Sequence, residues 1–208
     1  MITNGYLEAN DAQEYIGRQF ADATGVLDDL VTVASRSIDR HCGRHFYTVT
    51  ATRLFDTRDG YTIDLGPYND LVSVTTLKSD TGGDGVYDTT WGASAYQLLP
   101  AGATTRAPVA TPYTHIKLLG GNTFDTAVPS GRKGLIEIVG VWGWPTTPPI
   151  EIRQACRLIV HELAKLQDAP FGMLGSAEFG MSRIPAQKQR HVRDLLGPFV
   201  HPGHVGIG

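Results

Sequence analysis

Two histidines and a cysteine fall within five residues of the stretch RSIDRHCGRHF, Arg36 to Phe46. His41, Cys42 and His45 are all potential metal donors, and Arg40 and Arg44 would suit a phosphate. A structural zinc site needs four ligands, usually as two pairs, and this stretch offers one. Cys156 and His161 do not supply a second, because positions five apart on a helix diverge by about 140°. The same residues read simply as the end of a helix. Cys42 is then a small buried apolar group, and Gly43 is the left-handed residue that stops the helix. Arg40, His41 and Arg44 complement its carbonyl end.

HELAK, His161 to Lys165, comes nearest to a catalytic motif. A zinc protease carries histidines at i and i+4 of one helix with a Glu as base. Here Lys165 holds the fifth position, and its ammonium cannot share a site with zinc. The stretch reads instead as a surface helix face with Glu162 and Lys165 three apart. DTGGDGVYD invites comparison with a calcium loop, but Gly82 and Trp91 stand where a loop starting at Asp80 would need oxygen ligands. It reads as a Gly-rich turn between strands. Trp91, Trp142 and Trp144 could line a sugar-binding face, although such residues more often serve a core or interface. No nucleophile elbow, phosphate-binding loop or dinucleotide fingerprint is present.

The chain has 208 residues, 18 basic and 21 acidic, for a net charge of −3. That length suits one domain with a sizeable core, or a compact domain carrying an insertion. The charge balance provides no basic field for gripping nucleic acid nonspecifically. Two distant cysteines make no disulfide framework and suit a reducing, intracellular place of assembly. The polar N-terminus lacks the pattern of a signal peptide, and no apolar run approaches membrane-spanning length. The 24 Gly and 12 Pro concentrate in the middle and toward the C-terminus, where they predict turns and segments that become ordered on assembly.

The elements that must position these residues follow from periodicity. Asn10 or Asp11 caps a short helix through about Arg18. Thr24 caps a longer one, with Asp28 and Asp29 in its first turn and Leu27, Leu30, Val31, Ala34 and Ile38 as one apolar stripe. After Gly43 the pattern turns strand-like, with strands expected at 46–56, 61–67, 71–80, 95–100, 114–119 and 134–144. Helical periodicity returns after Pro148 and Pro149, with Ile152, Ala155, Cys156, Ile159, Leu163 and Leu166 as one face. A Gly-rich arm or short hairpin follows, then a last helix with Val192, Leu195 and Leu196. The expected fold is α+β: a small bundle of about four helices, a β-rich insertion between the second and third, and an extended C-terminal arm. Residues 1–45 and 145–199 form the helical core, 46–144 the insertion and 200–208 a C-terminal tail.

The ordered set of segments is more specific than any one of them. ASRSIDRHCGRHF leaves the second helix; RLFDTRDG, LVSVTTLKSDTGGDGVYDTT and YQLLP lie in the β block. VWGWPTTPPIEIRQA enters the third helix, and DAPFG, EFGMSRI and VRDLLGPF close the chain. From about Tyr6 to Phe199 this order resembles the head–tail connector, adaptor or head-completion proteins of long-tailed double-stranded DNA bacteriophages. The resemblance implies a structural virion protein with no catalytic role, cofactor or metal. It implies a ring, usually of twelve subunits, beneath the portal protein at the head–tail interface, assembled in the host cytoplasm. Such a ring extends the DNA channel, helps retain packaged DNA and docks a head-closure (stopper) or tail-terminator protein. Genomic double-stranded DNA passes through the lumen without sequence-specific contact, and no membrane is involved. By position in the pattern, Phe179, Met181, Arg183, Leu195 and Phe199 meet neighbouring subunits or the portal. Two other readings compete. One is a metal-dependent hydrolase using His161 and Glu162 with His41 or His45; the other is a carbohydrate-binding or adhesion module using the tryptophans of the β block.

Overall fold

The stripe from Leu27 to Ile38 buries one side of the chain only if the backbone is helical. In the computed structural model, which describes residues 4–16, 23–106, 109–124, 131, 133–168, 173–176, 180–183 and 187–204, α1 spans Ala9–Ile16 and α2 Ala23–Cys42. Every residue of the predicted α2 stripe is buried. A Leu or Ile side chain buried in this way contributes about 1.5–3 kcal/mol. The helix begins at Ala23, ahead of the expected Thr24 cap, so Asp28 and Asp29 lie beyond its first turn.

The chain divides into two compact units, one formed by Met1–Gly43 with Pro148–Gly208 and the other by Arg44–Thr147. In the first, α2 packs on α3 (Ile150–Asp168), with α1 and α4 (Gln187–Leu196) alongside. Pro148 and Pro149 precede α3 as expected, and the Pro149 carbonyl accepts the Arg153 N–H. Ile152, Ala155, Cys156, Val160 and Ala164 form the buried face of α3, while Leu166, expected on that face, is exposed. The apolar stripe thus turns toward Val160 and Ala164 as the helix proceeds. The Gly-rich arm carries a two-stranded hairpin, β8 (Met173–Ser176) with β9 (Gly180–Arg183). Among the described residues no helix is long and apolar enough to cross a membrane.

The β unit contains β1 (Thr48–Phe55), β2 (Thr62–Asp64), β3 (Leu71–Ser79), β4 (Thr89–Thr90), β5 (Tyr96–Leu99), β6 (His115–Leu118) and β7 (Ile136–Gly143). They form two antiparallel sheets, ordered β1-β7-β3-β4 and β2-β6-β5. β7 has the alternation of a central strand: Ile136, Ile138 and Trp142 are buried. They join Ile63, Leu65, Leu71, Leu77, Ile116, Leu118 and Phe124 in one core.

Three apolar residues of β3, Leu71, Val74 and Leu77, are spaced three apart, although a regular strand repeats every two. Two bulges reconcile this. Register shifts fall between Leu71 and Ser73 and between Val74 and Thr76, so the three residues pair with Trp142, Gly140 and Ile138. Those partners are two apart on β7, and all three apolar residues therefore share one face. The crowding requires a glycine at 140, where a Cβ would stand 2.4 Å from the Ser73 carbonyl oxygen.

Candidate assembly surfaces

The end of α2 settles the reading of HCGRH. Gly43 adopts φ +63° and donates its N–H to the Asp39 carbonyl at 2.8 Å, stopping the helix as the sequence predicts. Two further carbonyls at this end are met by the segment expected to be a patternless tail. The His201 N–H donates to the Cys42 carbonyl at 2.8 Å. His204 Nε2 lies 2.8 Å from the Arg40 carbonyl oxygen, which can only accept, so that nitrogen carries the proton. The His204 ring occupies the space beside Gly43, where a Cβ would be 2.5 Å from its Cγ. Burial first, then Arg193 and His204, lowers the pKa of His41. The lowering works against the cationic form that would complement the carbonyl end of α2, contrary to the expectation for His41.

The N-terminal segment is fastened to the same helix. The Tyr6 hydroxyl donates to Asp39, which also pairs with Arg36 at 2.9 Å. Arg36 donates to the Asn4 carbonyl, and the Tyr6 N–H to Ser35 Oγ. Asp39 and Ser35 are buried, so these bonds satisfy groups that would be costly to leave unpaired.

Arg44 does not cap α2 as expected. It belongs to the β unit, where it donates to Asp70 at 2.7 Å in a buried pair. An uncompensated Asp70 would cost far more than an open helix carbonyl at the surface, and this accounts for the choice. Burial pushes the Asp70 carboxyl up to about 6 despite the opposing pull of Arg44, His45 and Arg53. His45 packs its ring against Tyr47 and Tyr68, with centroids 5.1 and 5.3 Å away.

The other candidate chemistries disperse. The His161 ring meets Tyr15 edge-on at 5.8 Å, and among the described residues no group of three or more potential metal ligands exists. In the Asp80 loop the carboxylate accepts the N–H groups of Gly83, Asp84 and Gly85, which ties the turn rather than offering oxygens to a cation. A cleft of about 490 Å³ is lined by Asp56, Thr57, Arg58, Asp59, Thr62, Asp64 and His115. Its acids are committed to the backbone: Asp56 accepts from Gly134 and Leu135, and Asp59 from Tyr61 and Thr62. Trp142 and Trp144 present no open aromatic face. Trp142 is buried, stacks on Phe55 and donates to the Ala51 carbonyl; Trp144 is buried against Phe46. Trp91 donates to Ser79 and meets Phe124 edge-on.

Of the residues expected at subunit contacts, Met181 and Arg183 lie on β9 of the hairpin. Leu195 is half-buried on α4, and Phe199 is buried in the turn that follows it. Phe179 lies outside the described residues. Sequence reasoning missed His201, His204, Tyr6 and Asp39. The contacts by which the two end segments reach α2 span 29 to 164 residues, too far for any local pattern to signal.

The architecture is thus that of a four-helix unit with a two-sheet β unit inserted between its second and third helices. No protein-family model and no curated protein matches the chain. Among solved structures it is similar to a chain in the neck of an empty gene transfer agent particle computed with C6 symmetry. The TM-score is 0.58 at 19% identity, covering 100% of this chain and 95% of the other. A chain in the neck of the native particle, computed with C12 symmetry, gives 0.58 at 17% identity with the same coverage. One in the virion of the native particle gives 0.56 at 19%, again with the same coverage. The order of segments that resembles a head–tail connector therefore corresponds to a fold found in particle necks.

Proposed function

We propose that this chain is a structural subunit of a virion neck: a head–tail connector that forms a ring beneath the portal protein. The observation that carries the reading is the end-to-end likeness in fold to chains of particle necks computed with C6 and C12 symmetry. The ring, of twelve subunits, extends the DNA channel, helps retain packaged DNA and docks a head-closure or tail-terminator protein. It resides at the head–tail interface. Its role is architectural and not catalytic. A net charge of −3 suits a channel through which DNA must slide, since a dense array of phosphate contacts would hold it.

Residues 1–45 and 145–199 serve as the connector core and 46–144 as the inserted module. Phe179, Met181, Arg183 and Leu195 contact neighbouring subunits or the portal, and Phe199 shapes that surface from beneath. Electron microscopy of the purified chain mixed with its portal is the test, and rings seated on the portal are the expected result. Failure to bind the portal under any condition would remove the proposal. Arg183→Glu is expected to leave the monomer folded, by circular dichroism, while reducing ring formation; normal assembly of that variant would remove Arg183 from the contact.

A further inference from the structure

Protein sheets normally blunt their edges with short strands, prolines, lysines, bulges or inward-pointing charges, because an open edge recruits other strands. Of the four sheet edges among the described residues of the β unit, three obey this. β4 has two residues, β2 three, ending in an aspartate, and β5 four. β1 is the exception. It is eight residues long, TVTATRLF, with no proline, no lysine and an unbroken register against β7. Among the described residues it pairs with β7 alone. Its single charge, Arg53, points inward, a device that can guard an edge, but its guanidinium is already satisfied within the unit, 4.6 Å over the Trp142 ring and donating to the Tyr68 carbonyl and Asn69. Thr48, Thr50, Thr52 and Leu54 are exposed along it.

The helical unit holds the complementary deficit. Among the described residues, β8 and β9 form a sheet of two four-residue strands with no third strand. A hairpin of that size is marginal until something extends it. Each element lacks what the other offers, namely a row of extended backbone N–H and C=O groups.

Resting on the connector reading, we infer that β1 of one copy is extended by the β8–β9 hairpin of the next copy around the ring, by strand addition. The contact joins unlike surfaces, so each copy gives a hairpin and receives one. This heterologous arrangement closes into a ring under rotation, whereas β1 pairing with β1 would stop at a dimer.

Hydrogen exchange of the full chain, compared between monomer and portal-seated ring, tests it. Residues 48–55 and 173–183 are both expected to exchange at least about tenfold more slowly in the ring. Cysteines at Thr50 or Thr52, each combined with one at Ser176 or Ser182, are expected to yield under oxidation a ladder of covalent oligomers extending past dimers. The native Cys42 and Cys156 are buried and leave the readout clear. Rings that form while either segment keeps its monomer exchange rate would overturn the inference and leave the connector reading standing. So would protection of 48–55 alone, which would assign the edge to another partner's strand, or cross-linking that stops at dimers. Absence of rings would overturn the connector reading itself.

Discussion

The helical unit and the β unit fasten themselves in different ways. The helical unit draws on two stretches of chain separated by the whole β unit, and much of its polar fastening converges on α2. Tyr6 and Asn4 arrive from one terminus, His201 and His204 from the other. The β unit is one continuous stretch. It relies on a packed core, two bulges against a glycine, and a buried ion pair between Arg44 and Asp70. The difference teaches that tolerance to substitution is set by different features in each: the ends of a helix in one, the interior of a sheet in the other.

Because Trp91, Trp142 and Trp144 all lie in the β unit, tryptophan fluorescence reports on it alone, while far-ultraviolet circular dichroism weights the helices. The largest expected effect is that of Arg44→Met. It leaves Asp70 buried without its partner and is expected to cost the β unit about 3–5 kcal/mol at pH 7.5, read by urea denaturation with fluorescence. Adding Asp70→Asn should recover much of the loss; a single-variant loss below about 1 kcal/mol would show that the pair contributes little. Gly140→Ala should cost about 1–3 kcal/mol by the same probe, through overpacking against Ser73. Gly43→Ala places a Cβ on the His204 ring at a left-handed position and should cost about 1–2 kcal/mol, visible in the dichroism midpoint. An equal shift in the fluorescence midpoint would break the comparison, because it would mean that the two units unfold as one.

Acid supplies the smallest effect and the sharpest contrast, since the two units should respond with opposite signs. The folded pKa of Asp70 is raised to about 6. Its contribution is therefore fully present below the unfolded value near 3.8 and lost as pH rises through 6, so the β unit should gain about 1 kcal/mol between pH 7 and 5. The folded pKa of His41 is lowered. Its contribution is present above the unfolded value near 6.5 and lost as pH falls below it, so the helical unit should weaken slightly over the same interval. The measurement is the pH dependence of each midpoint, with Asp70→Asn and His41→Gln flattening their respective trends. Trends of the same sign that survive both substitutions would refute the assignment.

These same features mark how far the sequence could be read. The stripe Leu27 to Ile38, the stop at Gly43, the entrance at Pro148 and Pro149 and the alternation of β7 were legible, because each is a local period or a local backbone constraint. The spacing of Leu71, Val74 and Leu77 signalled a strand but not its two bulges, which depend on Gly140, a residue far along the chain. Arg44 was legible as a charge near a helix end; its partner Asp70 was not, since nothing local marks a residue 26 positions on. His201 and His204 lie in a stretch without periodicity, so their docking on α2 had no signature. The proposed assembly role came from the order of segments, not from any cluster of chemically active side chains.

The split of the helical unit around a continuous β unit also bears on how the chain comes into being. During synthesis the β unit is complete once residue 147 has emerged, before any of α3 exists for α2 to pack against. α2 must wait across roughly a hundred residues, a closure whose entropic cost grows only slowly with loop length and is smaller once the intervening segment is already compact. The β unit is thus positioned to fold first and to shorten the effective gap between α2 and α3. The histidines at 201 and 204 reach the end of α2 only after α3 and α4 have emerged, so the chain's first long helix is finished by a residue 164 positions downstream.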